Sequence, residues 1–253
     1  MRRQAKRSSS SSRIAYYVVG AIAIAAVVAA FVFGQGPGST TPSPTSTHTI
    51  TTAPTSTAQT SKPEILYVNQ GNGAVNSSNF QALLNTARSH GFNTIFFQAY
   101  RSGSLLLGDS SLASFGSAAH AAGLKFFLAL YFTDPSQAIP TSIYGDGEDG
   151  INLDMSTLPS AAQASLLSAL STGYKGQTAI TTTNPGLTLR PDLLIVETYG
   201  AGNQQYIHHG IIASVGVFAT TDKQDYDQQF SYALNNSDGV MVFDYAGLVK
   251  SGY

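Results

Sequence analysis

The 253-residue chain reads as an α/β protein, a trimmed (β/α)8 (TIM-type) barrel preceded by one transmembrane helix and a disordered stalk. Three observations predict this. Residues 14–33 are a run of 20 residues without a charged side chain, and residues 34–63 are dominated by Ser, Thr and Pro. From residue 64 onward, short β-branched or aromatic runs alternate with longer helical stretches, the pattern of parallel βα units rather than of a sandwich.

The apolar run is about 30 Å long as a helix, enough to cross a bilayer. Arg2, Arg3, Lys6, Arg7 and Arg13 precede it, and the next basic residue is Lys62. The positive-inside rule then makes residues 1–13 a cytoplasmic tail, residues 14–33 a single-pass anchor in the cell membrane, and the C-terminal domain extracellular. A cleaved signal peptide is the competing reading, but its apolar core usually spans only ~7–15 residues, and no clear small-x-small site ends this one.

In residues 34–63, 15 of 30 positions are Ser or Thr and five are Pro, which leaves almost no apolar surface to offset chain entropy. This segment is expected to be an extended stalk, of a composition that suits O-glycosylation or a bare linker. Asn76-Ser77-Ser78 and Asn235-Asn236-Ser237 match the N-glycosylation pattern, which matters only with the domain outside the cell.

From residue 64 on, seven Lys/Arg stand against 14 Asp/Glu, a balance of about -7 without a basic cluster. That excludes the electrostatic footprint of a nucleic-acid partner. With no Cys in the chain, disulfides, Cys-ligated zinc, iron–sulfur clusters and thiol nucleophiles are also excluded.

Eight strands are predicted, over residues 65–68, 94–100, 125–131, 150–155, 178–182, 193–197, 211–219 and 240–243. Helices are expected over 78–90, 110–122, 160–172 and 224–235, and His90-Gly91 and Ala122-Gly123 read as helix stops feeding the next strand. The third and fifth crossovers are too short or too proline-broken for full helices, and none is expected after the eighth strand. At 190 residues, 64–253 fall short of the ~250 typical of such barrels, hence a trimmed one. A doubly wound open sheet is the alternative. It calls for a phosphate loop after the first strand, but Asn76 stands where the last glycine of Gly71-x-Gly73 would follow, so nucleotide binding is rejected and no cofactor is expected.

In such a barrel, chemistry belongs at the C-terminal strand ends. Polar groups gather there: Asn69 and Gln70, then Gln98, Tyr100 and Arg101, Asp134, Asp154, Asn184, Glu197 and Tyr199, Thr220 to Asp222, and Asp244 with Tyr245. Asp134 before Pro135 and Asp222 before a helix fit a turn and an N-cap. Asp154 and Glu197 directly follow apolar strand residues and invite a catalytic reading, with Asp244 as a third acid. Gln98, Tyr100, Arg101, Asn184, Tyr199 and Tyr245 are the expected substrate contacts. His90 and His120 near helix ends and the adjacent His208 and His209 suit surface or capping roles better than metal ligation. The run Asp146-Gly147-Glu148-Asp149 lacks calcium-loop spacing and reads as a solvated acidic loop.

The stretch Phe92-Asn93-Thr94-Ile95-Phe96-Phe97-Gln98-Ala99-Tyr100-Arg101, with Ala119-His120-Ala121-Ala122-Gly123-Leu124-Lys125, resembles the second βα unit of glycosyl-hydrolase-like bacterial surface barrels. Asp149-Gly150-Ile151-Asn152-Leu153-Asp154 is similar to the fourth-strand acid motif of chitinase-type and spherulin-4-type hydrolases. Thr183-Asn184-Pro185-Gly186, followed by Asp192-Leu193-Leu194-Ile195-Val196-Glu197, resembles the spherulin-4 pattern. The resemblance spans most of residues 65–245 and implies a glycoside-hydrolase-like (β/α)8 barrel with a polysaccharide or glycan partner. Its departures are Met155, where spherulin-4-type enzymes carry Glu, and Ser156, where chitinase-type enzymes do. Asp154 and Glu197 could still supply the two carboxyl groups that glycoside hydrolysis uses, with Glu197 as the general acid. The chain has no Trp, so Tyr100, Tyr131, Tyr199 and Tyr245 are the aromatic faces left for sugar stacking. Two functions follow: a membrane-anchored hydrolase of an envelope or extracellular polysaccharide, or a non-catalytic barrel that binds glycans or neighbouring surface proteins.

Overall fold

The computed structural model describes residues 61–72, 75–145, 147–199, 203–218 and 221–252. The expected cytoplasmic tail, transmembrane helix and all of the stalk before residue 61 lie outside the described residues, as do Gly73, Asp146 and Thr220. Among the described residues no helix is long and apolar enough to cross a membrane.

The chain runs β1 (Glu64–Val68), α1 (Phe80–Ser89), β2 (Thr94–Arg101), β3 (Ser104–Leu105), α2 (Asp109–Ala121), β4 (Lys125–Tyr131), β5 (Gly150–Asp154), α3 (Ser160–Gly173), β6 (Gln177–Thr182), β7 (Leu193–Glu197), β8 (Ile212–Gly216), α4 (Lys223–Asn236), β9 (Gly239–Phe243) and α5 (Tyr245–Lys250). Eight of the strands are parallel neighbours, and the sheet closes because β1 pairs with both β2 and β9. The ninth, β3, is a two-residue antiparallel flap on the end of β2. The expected (β/α)8 barrel is the fold observed.

Strand periodicity builds two cores. One residue of each pair points into the barrel, where Ile65, Tyr67, Phe96, Phe127, Ala129, Ala179, Ile195, Ile212 and Met241 form a closed apolar floor. The Phe96 and Phe127 rings stack there at 4.9 Å. Gly150 leaves the room: a Cβ at that position would fall 2.2 Å from the Phe127 ring. The alternate residues, such as Leu66, Ile95, Phe97, Phe126, Leu128 and Leu153, face outward under the helices.

Helix α1 buries Phe80, Leu83, Leu84 and Ala87 against this outer layer, the i, i+3, i+4, i+7 stripe of an amphipathic helix. Helix α3 repeats the spacing but places Gln163 on the buried face. Its amide donates to the carbonyls of Met155 and Leu158 and accepts from Thr182 Oγ1, so burial leaves it satisfied. The expected helix stops hold, with Gly91 at φ 82° and Gly123 at φ 76°, in the left-handed region that glycine enters without strain.

The trimming lies where expected. The β4–β5 crossover holds only a short 3-10 turn, Thr141–Ile143, and the β6–β7 crossover has no helix. Two expectations fail. The strand over 211–219 stops at Gly216, and α5 follows the last strand although no helix was expected there. Six residues are too few to show a helical period. The start is set by Asp244, whose Oδ1 accepts from the Gly247 N–H at 2.9 Å.

Candidate active site

The alternation that fills the floor also builds the mouth, because the last inward position of a strand opens upward instead of onto another side chain. On β1 that face runs Ile65, Tyr67, then Asn69; on β5, Asn152, then Asp154; on β7, Ile195, then Glu197. These ends border a pit of about 210 Å³ lined by Tyr67, Asn69, Gln98, Arg101, Tyr131, Asp154, Ser156, Glu197, Tyr199 and Phe243.

Asp154 is buried, and Tyr67 Oη donates to its Oδ2 at 2.9 Å. Gln98 bonds in turn to the Tyr67 hydroxyl and accepts from the Gln70 N–H at 3.1 Å. Ser156 Oγ donates to the other oxygen, Oδ1, at 3.4 Å, and Ser156 and Tyr199 both favour the ionised form of the neighbouring Glu197. Tyr199 is held by the Phe243 ring, stacked at 5.9 Å, and by Phe218 edge-on at 5.6 Å.

Electrostatics separate the two acids. Burial, and then the neighbouring Glu197 charge, push the Asp154 carboxyl up to about 7, against the opposing bonds from Tyr67 and Ser156. Glu197 is also raised by burial, opposed by its bonds from Tyr199 and Ser156. The hydroxyls of Tyr67 and Tyr199 are raised far above the usual phenol range by burial and by the facing acids, so both remain donors. The buried Asp154 can therefore keep its proton toward neutral pH.

Of the expected residues, Asp154, Glu197, Gln98, Arg101 and Tyr199 converge on the pit, and Asn69 and the stacking candidate Tyr131 join them. Four others do not line it. Tyr100 is buried in the outer core against Phe132, ring to ring at 5.2 Å, because strand β2 carries a bulge before it. Asn184 shapes its own loop, accepting from the Gly186 N–H and donating to Ser160 Oγ. Tyr245 begins α5 and packs on the outer core. Both Asp244 oxygens are engaged, Oδ1 by the Gly247 N–H and Oδ2 by Asn72 Nδ2 at 2.7 Å. As expected, Asp222 caps α4 through the Gln224 N–H at 2.7 Å, and Asp134 closes a turn on the Ser136 N–H at 2.8 Å. His120 and His209 sit beside Asp149 and Asp238, at 2.9 and 3.0 Å.

Sequence reasoning passed over Tyr67 and the role of Ser156. Tyr67 hides in the apolar run of β1, although its place two residues before Asn69 puts it on the same face. Ser156 was noted only as the replacement of a family Glu; standing two residues after Asp154, it is placed to touch what lies above that acid.

The pit and the closed sheet define the class of protein: a (β/α)8 barrel with a coupled carboxyl pair at its C-terminal mouth. Nothing narrower comes from sequence comparison, since no protein-family model and no curated protein matches the chain. Solved structures do match. A GH113 beta-1,4-mannanase superposes with a TM-score of 0.50 at 11% identity, over 72% of this chain and 88% of that one. A GH113 beta-mannanase from Alicyclobacillus acidocaldarius gives 0.49 at 10% identity over 74% and 88%. A tamarind chitinase-like lectin gives 0.48 at 14% identity over 76% and 97%. At 11% identity the first of these likenesses, with its TM-score of 0.50, agrees with the barrel fold and says nothing beyond it.

Proposed function

We propose that residues 64–253 are a glycoside hydrolase domain acting on an envelope or extracellular polysaccharide, with Asp154 and Glu197 as its carboxyl pair. The observation that carries this reading is that two acids of unequal burial line one pit, close enough for the Glu197 charge to raise Asp154, as the two carboxyl groups of glycosidic cleavage flank one bond. Asp154, whose carboxyl burial raises to about 7, is the general acid, and Glu197 is the base or nucleophile. The sequence alone makes Glu197 the residue to test as the acid. At about 210 Å³ the pit exceeds the ~150 Å³ that holds a benzene ring, so a single pyranose ring fits it. Tyr131, Tyr199 and Phe243 offer the aromatic faces.

A non-catalytic glycan-binding barrel is the second reading. It is favoured by Ser156 in place of the family Glu and by the engagement of both Asp154 oxygens. Either form belongs outside the cell, anchored through residues 14–33 and spaced by the stalk, as the N-terminal basic cluster argues. The full chain, presented to a panel of neutral and acidic polysaccharides, should release shortened products. Asp154→Asn and Glu197→Gln should each lower turnover ~100- to 10,000-fold while keeping affinity. Binding without any cleavage by the unmodified protein rejects the hydrolase and promotes the second reading. Protease added to intact cells should cut within residues 34–63 and free the domain; complete protection would overturn the orientation.

A further inference from the structure

Resting on the glycan site argued above, we propose that the pit is selective for an acidic sugar, a uronosyl unit whose carboxylate is bound by Arg101. Arg101 is the only basic residue among those lining the pit, and its presence there has a structural cause. Strands β2 and β4 pair Gln98 with Ala129 and then Tyr100 with Leu130, so Ala99 is an extra residue in the ladder. Strict alternation after Gln98 would send Tyr100 into the pit and Arg101 out under the helices. The bulge exchanges them: Tyr100 enters the outer core, and Arg101, opposite Tyr131, faces the pit.

The guanidinium is placed rather than adrift. Its Cζ lies 5.8 Å from the centre of the Tyr131 ring, a cation–π distance. Its other flank lies against the backbone of Gly71, whose missing side chain leaves room for Nη1 there. Yet its donors are unused. Among the described residues the ion pairs are His120 with Asp149, His209 with Asp238 and Lys223 with Asp227, and no hydrogen bond engages the Arg101 side chain.

A guanidinium has five N–H donors and accepts nothing, so its fitting partner accepts only, and a carboxylate matches the fork in bidentate geometry. Neutral sugar hydroxyls both donate and accept, and the pit already serves them with Asn69, Gln98, Ser156 and Tyr199.

The test pairs each of three oligouronates, of glucuronic, galacturonic and mannuronic acid, with its carboxyl-reduced neutral counterpart of the same linkage and length. Binding to the full chain is followed by calorimetry. At least one oligouronate should bind roughly 10- to 100-fold tighter than its reduced partner, as expected for hydrogen bonds to a charged group. Arg101→Gln should erase that difference, and Arg101→Lys should keep part of it. Arg101 is exposed, so the variants should melt with the unmodified protein. Equal affinity for acidic and reduced forms, or an Arg101→Gln loss that is the same for both, overturns the acidic-sugar proposal and leaves the glycan site standing. Binding of neither form, nor of any neutral polysaccharide, overturns both.

Discussion

The floor and the mouth of this barrel are built by the same strands, yet they obey opposite rules. On β7, Ile195 is sealed into the floor and Glu197, two residues on, faces the pit; on β4 the same step leads from Ala129 to Tyr131. One two-residue step, about 6.6 Å beyond the last covered layer, decides whether a side chain is packing material or chemistry. The floor is also part of the site, since it keeps water from one side of Asp154, and burial is the largest contribution to the rise of that carboxyl. A dry layer below raises Asp154, and the donors Tyr67 and Ser156 above oppose that rise.

Breaking the floor should have the largest effect. Phe127→Ala removes the ring stacked on Phe96 and leaves a cavity, at a cost of ~3 to 5 kcal/mol in chemical denaturation. Because the cavity lies below the pit, the same variant should also raise turnover defects out of proportion to any lost contact with sugar. A loss under ~1 kcal/mol would mean that the interior repacks and that floor and mouth are independent.

The proton on Asp154 sharpens the comparison next. Its carboxyl is raised from the ordinary ~4 to about 7, so the folded protein binds a proton that the unfolded chain has already lost between those values. Stability should therefore fall as pH rises from about 4 to 7 and level off above; Asp154→Asn should flatten that slope, as urea titrations across the range would show. Activity should decline above about pH 7 as the general acid ionises. Tyr67→Phe removes a bond that favours the charged carboxyl and should shift this limb to higher pH. A shift to lower pH would contradict the assignment.

The smallest effect is expected far from the pit. Asp222 is an acid near the same mouth, but it caps α4 and lines no part of the site. Asp222→Ala should cost about 1 kcal/mol of stability and leave turnover unchanged. A turnover defect there would blur the line between capping acids and site acids.

Much of the barrel was legible before any coordinates. Strand runs, the amphipathic stripe of α1, and the stops at Gly91 and Gly123 are local signals, set by periods of two and 3.6 and by glycine at φ > 0. Asp154 and Glu197 were legible as the acids that end apolar strands, and Asp222 as a cap. Four site expectations went astray for one common reason: they followed position along the chain, while side-chain direction depends on pairing. Tyr100 and Arg101, adjacent in sequence, take opposite faces in any strand, but the bulge at Ala99 exchanges which of them faces the pit. Asp244 reads like Asp154 after an apolar strand, but the chain beyond it turns into α5 and claims its oxygens.

The sequence by itself determined the alternation that makes a parallel barrel, the acidity of the domain, and the two carboxyls worth suspecting, because these depend on residue type and near neighbours. Only the tertiary structure decided that Ser156 and both carboxyls line one pit, that Tyr67 reaches Asp154 across 87 positions of chain, and that Arg101 rather than Tyr100 enters the pit. Such contacts depend on strand register and barrel closure, which are set by the packing of all eight strands at once and so are written in no single segment.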